Sequence, residues 1–153
     1  MILRWVRDAL AVHGTRGIRV SLLCGVYDPA VSQLTYSTAG HPPPLVRRDG
    51  RAVAWAQDAT AGIGSPQGFI LANGVVTLRP GDAVLLYTNG LVDAVSPDGE
   101  RFGEDRLARR MERSVGQTSS VLVADLLKTL QKHLRDQPQP DDIAVLAFTL
   151  AAR

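Results

Sequence analysis

The alternation of apolar and polar residues predicts antiparallel strands early in the chain. From residue 18 every second position is apolar, which is typical of a strand with one buried face. After a turn at Asp28-Pro29-Ala30 a second strand is predicted over residues 34–39, so residues 18–39 are expected to form a hairpin. The apolar positions of the first strand are Ile18, Val20, Leu22, Cys24 and Val26.

Further strands follow along the chain. Two short strands are predicted over residues 45–47 and 52–55, on either side of a turn. A second hairpin is predicted next, in which residues 74–78 pass through the tight turn Arg79-Pro80-Gly81-Asp82 into residues 83–88. The 83–88 strand is apolar on both faces, so we expect it at the centre of a sheet.

Helical spacing of apolar residues marks the two ends of this strand-rich region. It predicts three helices, over residues 1–12, over residues 104–113, and from a cap at Thr118 or Ser119 to Pro138-Gln139-Pro140. The predicted buried stripe of the longest helix is Val123, Leu126, Leu127, Leu130 and Leu134. A last central strand, apolar on both faces, is expected over residues 143–150. The pattern as a whole predicts an α+β fold in which helices cover an antiparallel sheet or sandwich.

Composition narrows the class of protein. The chain has 153 residues, of which 45% are hydrophobic and 21% charged, which is typical of a single globular domain. One cysteine, Cys24, excludes an internal disulfide, and no apolar run is long enough to span a bilayer, so we expect a cytoplasmic protein outside the membrane. The net charge is only +2 and the basic residues are scattered along the sequence, so no nucleic acid partner is expected.

Candidate chemistry lies at the ends of the two fully apolar strands. Asp141-Asp142 leads into one of them and Asn89-Gly90 ends the other. Divalent cations such as Mg²⁺ or Mn²⁺ need oxygen ligands from several segments, so the aspartate pair is either part of such a site or a solvated turn. His41 is interpreted as a loop imidazole bonded to backbone, and Cys24 as a small thiol on an apolar face. We found no nucleophile elbow, P-loop or dinucleotide-binding fingerprint.

Three segments of the sequence stand out by their order and spacing. They are Thr38-Ala39-Gly40-His41-Pro42-Pro43-Pro44-Leu45, then Pro80-Gly81-Asp82-Ala83-Val84-Leu85-Leu86-Tyr87-Thr88-Asn89-Gly90-Leu91-Val92-Asp93-Ala94 with Phe102-Gly103, and Pro140-Asp141-Asp142-Ile143-Ala144-Val145. Together they resemble the sporulation protein E branch of the bacterial metal-dependent (protein phosphatase 2C, PPM) serine phosphatases. The resemblance extends from about residue 18 to the end of the last strand.

The resemblance implies a sandwich of two antiparallel sheets flanked by helices, with two Mn²⁺ or Mg²⁺ ions bridging a water that attacks the phosphorus of a phosphoserine. The implied protein substrates are phosphorylated anti-sigma-factor antagonists. By position, Asp141 matches an aspartate that ligates one metal ahead of the last strand. Asn89 matches the aspartate of the family's Tyr-Thr/Ser-Asp-Gly motif, which is also a metal ligand.

The sequence departs from the family pattern in two places. Asn89 offers an amide oxygen without negative charge, so weaker metal binding is expected. The family's Gly-Asp-x-x-Asp strand and Asp-Gly-x-Gly-His motif have no counterpart in this sequence. The resemblance therefore implies that residues 1–153 are the C-terminal portion of one phosphatase-like domain, with a helical remnant over 1–15 and sheet and helices over 16–153.

Two functions follow from these departures. The first is a phosphatase-like domain that is weak or inactive as this chain stands, and the second is a non-catalytic binding module of a sigma-factor partner-switching circuit. If strands of the family's first half are absent, sheet edges and apolar faces are left exposed. A homodimer, or aggregation, is therefore expected.

Overall fold

The computed structural model describes residues 2–12, 19–54, 60–66, 68–135, 137–138 and 141–151. In chain order the elements are α1 (Ile2–Val12), β1 (Leu22–Asp28), β2 (Gln33–Ala39), β3 (Leu45–Arg48), β4 (Arg51–Ala54), β5 (Ala72–Thr77), β6 (Ala83–Tyr87), α2 (Asn89–Val92), α3 (Glu104–Arg113), α4 (Ser119–Leu134) and β7 (Val145–Thr149). The chain forms two compact units: the first is Met1–Pro43 with Trp55–Leu78, and the second is Pro44–Ala54 with Arg79–Arg153. That residues 1–153 form one domain stays a prediction.

The first unit contains α1 and a three-stranded antiparallel sheet in the order β1-β2-β5. The predicted hairpin is confirmed, because β1 pairs with β2 from Leu22↔Ala39 to Asp28↔Gln33. The central strand, β2, supplies the most buried side chains of this sheet, among them Leu34 and Tyr36. The predicted start of β1 was wrong, and so was the expected burial of Val26.

β1 is an edge strand, since within the described sheet it is hydrogen-bonded only to β2. The strand begins at Leu22, and Val20 forms only an isolated bridge with Ile63. Val26, expected to be buried, is 61% exposed, since an edge strand with one neighbour is covered less than a central one. Ile18 lies outside the described residues.

The predicted second hairpin does not form. The turn itself is present, with Asp82 N–H donating to Arg79 O (2.9 Å). However, β5 pairs with β2, whereas β6 pairs with β3 and β7. Backbone hydrogen bonds from Gly81 N–H to Leu150 O (2.8 Å) and from Leu150 N–H to Asp82 O (2.9 Å) tie the turn to the end of β7. The turn therefore leads into a new sheet rather than back along β5.

The second unit is a four-stranded antiparallel sheet in the order β4-β3-β6-β7, with one face packed against α3 and α4. As predicted, β6 is a central, buried strand. The strand predicted over residues 143–150 is shorter and lies at the edge of the described sheet, where Leu146 is 55% exposed. Its expected central position was therefore wrong. The homodimer expected from exposed edges stays a prediction.

The helices of the second unit are close to the predicted ones. α3 has the predicted bounds, and Thr118 caps α4 by accepting a hydrogen bond from Val121 N–H at 3.3 Å. α4 ends at Leu134, before the prolines, because Arg135 takes a left-handed conformation (φ 45°). The buried stripe follows every fourth residue: it consists of Leu122, Leu126, Leu130 and Leu134. Leu127, predicted to be buried, is 39% exposed, and Val123 is half-buried.

Asp82, in the turn before β6, is a buried acidic residue with 4% side-chain exposure. Its carboxylate accepts hydrogen bonds from Arg48 Nη2 (2.6 Å), from Arg48 Nε (3.1 Å to Oδ2) and from Arg79 N–H (2.8 Å). The hydrogen bond to Asp82 is the main cause that raises the pKa of the Arg48 guanidinium. The motif residue Asp82 thus fixes the turn to β3.

We expect Asp82→Ala to lower the free energy of unfolding by about 2 kcal/mol, measured by urea denaturation. Breaking a buried ion pair costs about 3–5 kcal/mol, and the smaller value applies because the side chain of Arg48 is 24% exposed and regains water. The control is Asp98→Ala, which removes the ion pair to Arg135, exposed on both sides, and should cost less than about 0.5 kcal/mol. Equal losses in the two variants would contradict a structural role for Asp82.

Candidate metal centre

The candidate site lies where β6 ends and β7 begins. The antiparallel pair Tyr87↔Val145 brings these two ends to the same rim of the sheet. Thr88 fastens them together: its N–H donates to Ala144 O (3.1 Å), and its hydroxyl accepts from Ala144 N–H (3.0 Å). The segments that contain Asn89 and Asp141 therefore meet, as the sequence predicted. We call these segments, residues 88–90 and 141–144, the rim.

Gly90 sets how closely the two halves of the rim approach. A Cβ atom built on Gly90 would lie 2.5 Å from Asp142 O and 3.4 Å from Asp141 Cβ. The Thr88 hydroxyl also donates to Asp142 O at 3.3 Å. Since a Cβ does not approach a backbone oxygen to 2.5 Å, the contact between α2 and the residues before β7 requires glycine.

Three oxygen-bearing side chains of the rim, those of Asn89, Asp141 and Asp142, belong to exposed residues. One carboxylate oxygen of Asp141 accepts a hydrogen bond from Asp142 N–H at 2.8 Å. This bond fixes the side chain against its own backbone. No protein donor is bonded to the other Asp141 oxygen within the described part of the chain, so that oxygen is open to a ligand.

The donor set does not by itself fit a two-metal centre. Among the described residues, no group of three or more His, Cys, Asp or Glu side chains is placed to hold a metal ion. The rim offers carboxylates from Asp141 and Asp142 and a neutral amide from Asn89, whereas Mg²⁺ and Mn²⁺ take about six oxygen ligands. The chemistry of these donors suits a share of one divalent ion, with the remaining positions filled by water or by other groups.

The tyrosine next to the rim is not a candidate for acid-base chemistry at neutral pH. Tyr87, the last residue of β6, is 3% exposed. Burial, with a smaller contribution from the negative charge of Glu104, raises the pKa of Tyr87 to about 12. Its phenol therefore stays protonated and belongs to the core of the second unit.

The other candidates from the sequence lie elsewhere. His41 Nδ1 lies 2.9 Å from Pro42 O, and since a carbonyl only accepts, this nitrogen is the donor. This agrees with the interpretation of a loop imidazole bonded to backbone. Cys24 is a free, half-buried thiol on β1.

Sequence reasoning missed the contribution of Thr88 and Gly90 to the rim. Each acts through backbone contacts to Asp142 or Ala144, and such contacts have no periodic signal in the sequence. The available signal was the glycine directly after Asn89, because a glycine at a strand end often marks a close backbone approach.

Comparison with solved structures first identifies the class. The fold is that of protein phosphatase 2C domains: the SiaA-PP2C domain of Pseudomonas aeruginosa matches with a TM-score of 0.84 and 24% identity over 97% of this chain and 58% of that one. The phosphatase domain of the cell-fate determinant SpoIIE from Bacillus subtilis, presoaked with Mn, matches with a TM-score of 0.72 and 12% identity over 99% of this chain and 66% of that one.

The family follows from the sequence. Residues 1–151 match the model of Stage II sporulation protein E (SpoIIE), and the chain belongs to this family. Among curated proteins, it is 29% identical over 156 residues to Protein IcfG of Synechocystis sp. (strain ATCC 27184 / PCC 6803 / Kazusa). The match covers 94% of this chain but only 23% of that relative, so the chain spans less than a quarter of its length. The resemblance stated from the sequence is confirmed.

No helix within the described residues is both long enough and apolar enough to cross a bilayer. The longest of them, α4, has 16 residues and carries charged side chains along its exposed side.

Proposed function

We propose that this chain is part of a metal-dependent protein serine phosphatase that acts on a phosphorylated anti-sigma-factor antagonist in the cytoplasm, and that its own residues give weak turnover or none. Membership of the SpoIIE family and the phosphatase 2C fold support the reaction class. The observation that carries the proposal for this chain is the rim, where Asn89 and Asp141 stand on facing segments joined by Thr88 and Gly90.

The same rim explains why weak turnover is proposed. The family resemblance implies that hydrolysis uses two Mn²⁺ or Mg²⁺ ions, and proteins hold such divalent ions mainly through carboxylates. In this chain the amide of Asn89 stands where the family pattern has a carboxylate. Among the described residues, no third acidic, histidine or cysteine side chain is grouped with Asp141 and Asp142. A single weakly held ion is therefore the most that the rim supports alone.

The experiment is a phosphatase assay of the 153-residue chain with excess Mn²⁺, using a phosphoserine peptide and an aryl phosphate. We expect turnover close to the uncatalysed background, together with Mn²⁺ binding that is detectable by calorimetry and about tenfold weaker in Asp141→Asn. Rapid turnover that a chelator abolishes would contradict the proposed weakness, since it would require a complete two-metal site. Absence of any Mn²⁺ binding would contradict the role of the rim.

The second candidate function is a non-catalytic binding module that engages a regulator of a sigma factor without hydrolysing a phosphate. The replacement of an expected aspartate by Asn89 favours it, because a binding surface has no need of the negative charge. The two candidates differ in the response to Asn89→Asp, which raises metal affinity only if the other rim donors hold an ion.

A further inference from the structure

A basic cleft of about 460 Å³ lies in the second unit, between α3, α4 and the loop that precedes α3. It has no residue in common with the rim, so it is not explained by metal binding. The side chains that line it are mostly long and positively charged. The charged members are Arg106, Arg109, Arg110, Arg113, Lys132, Arg135, Asp98 and Glu100.

The charge of this cleft is unusual for the chain. Its lining includes six basic and two acidic side chains, a net charge of +4 with histidine neutral. The whole chain has 17 basic and 15 acidic residues and a net charge of +2, so all other residues together carry −2. Four of these six basic side chains come from α3 and two from the C-terminal end of α4 and its cap, so the expectation that the basic residues form no common cluster was wrong.

Helical geometry explains how the charges come together. Arg106, Arg110 and Arg113 stand at positions i, i+4 and i+7 of α3, which places them on one side of the helix. The stripe is about 10 Å long, since the rise is about 1.5 Å per residue. Lys132 extends it on α4. A favourable interaction with the helix dipole accounts for the basic residues in the last turns of α3 and α4, Lys132 among them, but not for Arg106 or Arg109.

Half of the cations have acidic partners and half do not. The ion pairs are Arg106–Glu100 (3.1 Å), Arg110–Asp125 (3.3 Å) and Arg135–Asp98 (3.1 Å). Arg109, Arg113 and Lys132 form no ion pair within the described part of the chain, and all three belong to exposed residues. Like charges held this close repel one another, so an anionic ligand relieves repulsion as well as gaining attraction.

We infer that this cleft binds an acidic segment of a partner protein, with carboxylates facing Arg109 and Arg113. A guanidinium group matches the geometry of a carboxylate with two parallel hydrogen bonds. The two acidic side chains of the cleft, Asp98 and Glu100, lie in the loop before α3. The end of the segment that faces α3 therefore carries glutamate or aspartate, and the end that faces this loop carries a neutral or basic residue. The length of the stripe suits several carboxylates rather than one small ion.

The lining argues against a nucleic acid ligand. Single strands bind through bases that stack on aromatic rings along a positively charged groove. Among the described residues that line the cleft there is no Phe, Tyr or Trp, and the ring of Phe102, which lies under Arg106, is 2% exposed. Asp98 and Glu100 also interrupt the positive surface that a continuous phosphate backbone would follow.

The test is fluorescence anisotropy of the full 153-residue chain with a fluorescein-labelled octapeptide of four glutamates followed by Gly-Ser-Gly-Lys, at low salt. We expect R109Q/R113Q to raise the Kd about fivefold or more, since each exposed arginine–carboxylate pair contributes modestly and two are lost. The matched control is R4Q/R19Q, which removes the same charge at two exposed positions of the first unit and should change the Kd less than about twofold. Circular dichroism checks that both variants fold.

Three results would overturn the proposal. The first is no binding of the peptide by the unchanged chain. The second is an equal loss of affinity in R109Q/R113Q and R4Q/R19Q, which would mean attraction by net charge alone. The third is tighter binding of a twelve-nucleotide oligothymidylate than of the peptide, lost in R109Q/R113Q, which would assign the cleft to nucleic acid.

Discussion

Replacing Gly90 by valine is expected to lower the free energy of unfolding by about 3 kcal/mol or more. A Cβ on residue 90 would lie 2.5 Å from Asp142 O, and the atom that must give way is backbone rather than a flexible side chain. Relief of the clash separates α2 from the start of β7 and breaks the hydrogen bonds of Thr88. In a chain of this size the loss corresponds to a fall in Tm of about 6–12 °C, measured by calorimetry.

The matched control is Gly25→Val on β1. A Cβ there would lie 3.3 Å from the methyl group Cδ1 of Leu34, which can move, and no other described atom outside the neighbouring residues is closer than 3.8 Å. Valine is also well suited to a strand, so the free energy of unfolding should change by less than about 1 kcal/mol. If Gly90→Val were as stable as the unchanged chain, the close approach of the two halves of the rim would be contradicted.

Mn²⁺ affinity is expected to rise about tenfold in Asn89→Asp and to fall about tenfold in Asp141→Asn. Each change adds or removes one negative charge beside the ion. For exposed groups the change in binding free energy is about 1.4 kcal/mol, which lies between the Coulomb energies of a charge pair in bulk water and near a protein surface. Isothermal titration calorimetry of the three proteins at one ionic strength measures it. The two variants should thus differ about a hundredfold.

The control for this series is Asp98→Asn, which removes the same charge in the same unit from an aspartate that pairs with Arg135. We expect the affinity for Mn²⁺ to stay within about twofold, because the effect of a distant exposed charge is screened by salt. If Asn89→Asp left the Mn²⁺ affinity unchanged and neither variant lost Mn²⁺ binding, the result would favour the binding module over the phosphatase-like domain.

Local pattern predicted which segments are strands and helices, but not which strands pair. The turn at residues 79–82 was recognised from Pro80 and Gly81, and it is a tight turn. Its neighbours β5 and β6 nevertheless lie in different sheets, because Asp82 is bound to Arg48 on β3 and to the end of β7. These contacts join residues more than 30 positions apart, which periodicity does not report.

Burial was predicted well where an element is central and less well at edges. β6 is apolar on both faces and is buried between β3 and β7. β7 is also largely apolar, yet Leu146 is 55% exposed because no described strand lies beyond β7. In α4 the predicted stripe was one residue off at its start, since Leu122 rather than Val123 faces the core.

The candidate site could be predicted in part. The motifs placed Asn89 and Asp141 at strand ends, and an antiparallel pair of strands brings such ends together. The sequence did not indicate how closely the two segments approach each other, because this depends on Gly90 and Thr88. It also did not indicate that α3 and α4 bring basic residues together in one cleft.

The central claim is that the rim binds a divalent ion through both of its segments, and paramagnetic broadening tests it most directly. Substoichiometric Mn²⁺ added to the ¹⁵N-labelled chain should broaden the backbone amide signals of residues 88–91 and 141–144 first, together with the side-chain amide of Asn89. In Asp141→Asn, which binds Mn²⁺ about tenfold more weakly, the same addition should broaden these signals much less. Early broadening confined to other acidic residues, or broadening at the rim that is equally strong in Asp141→Asn, would contradict the account.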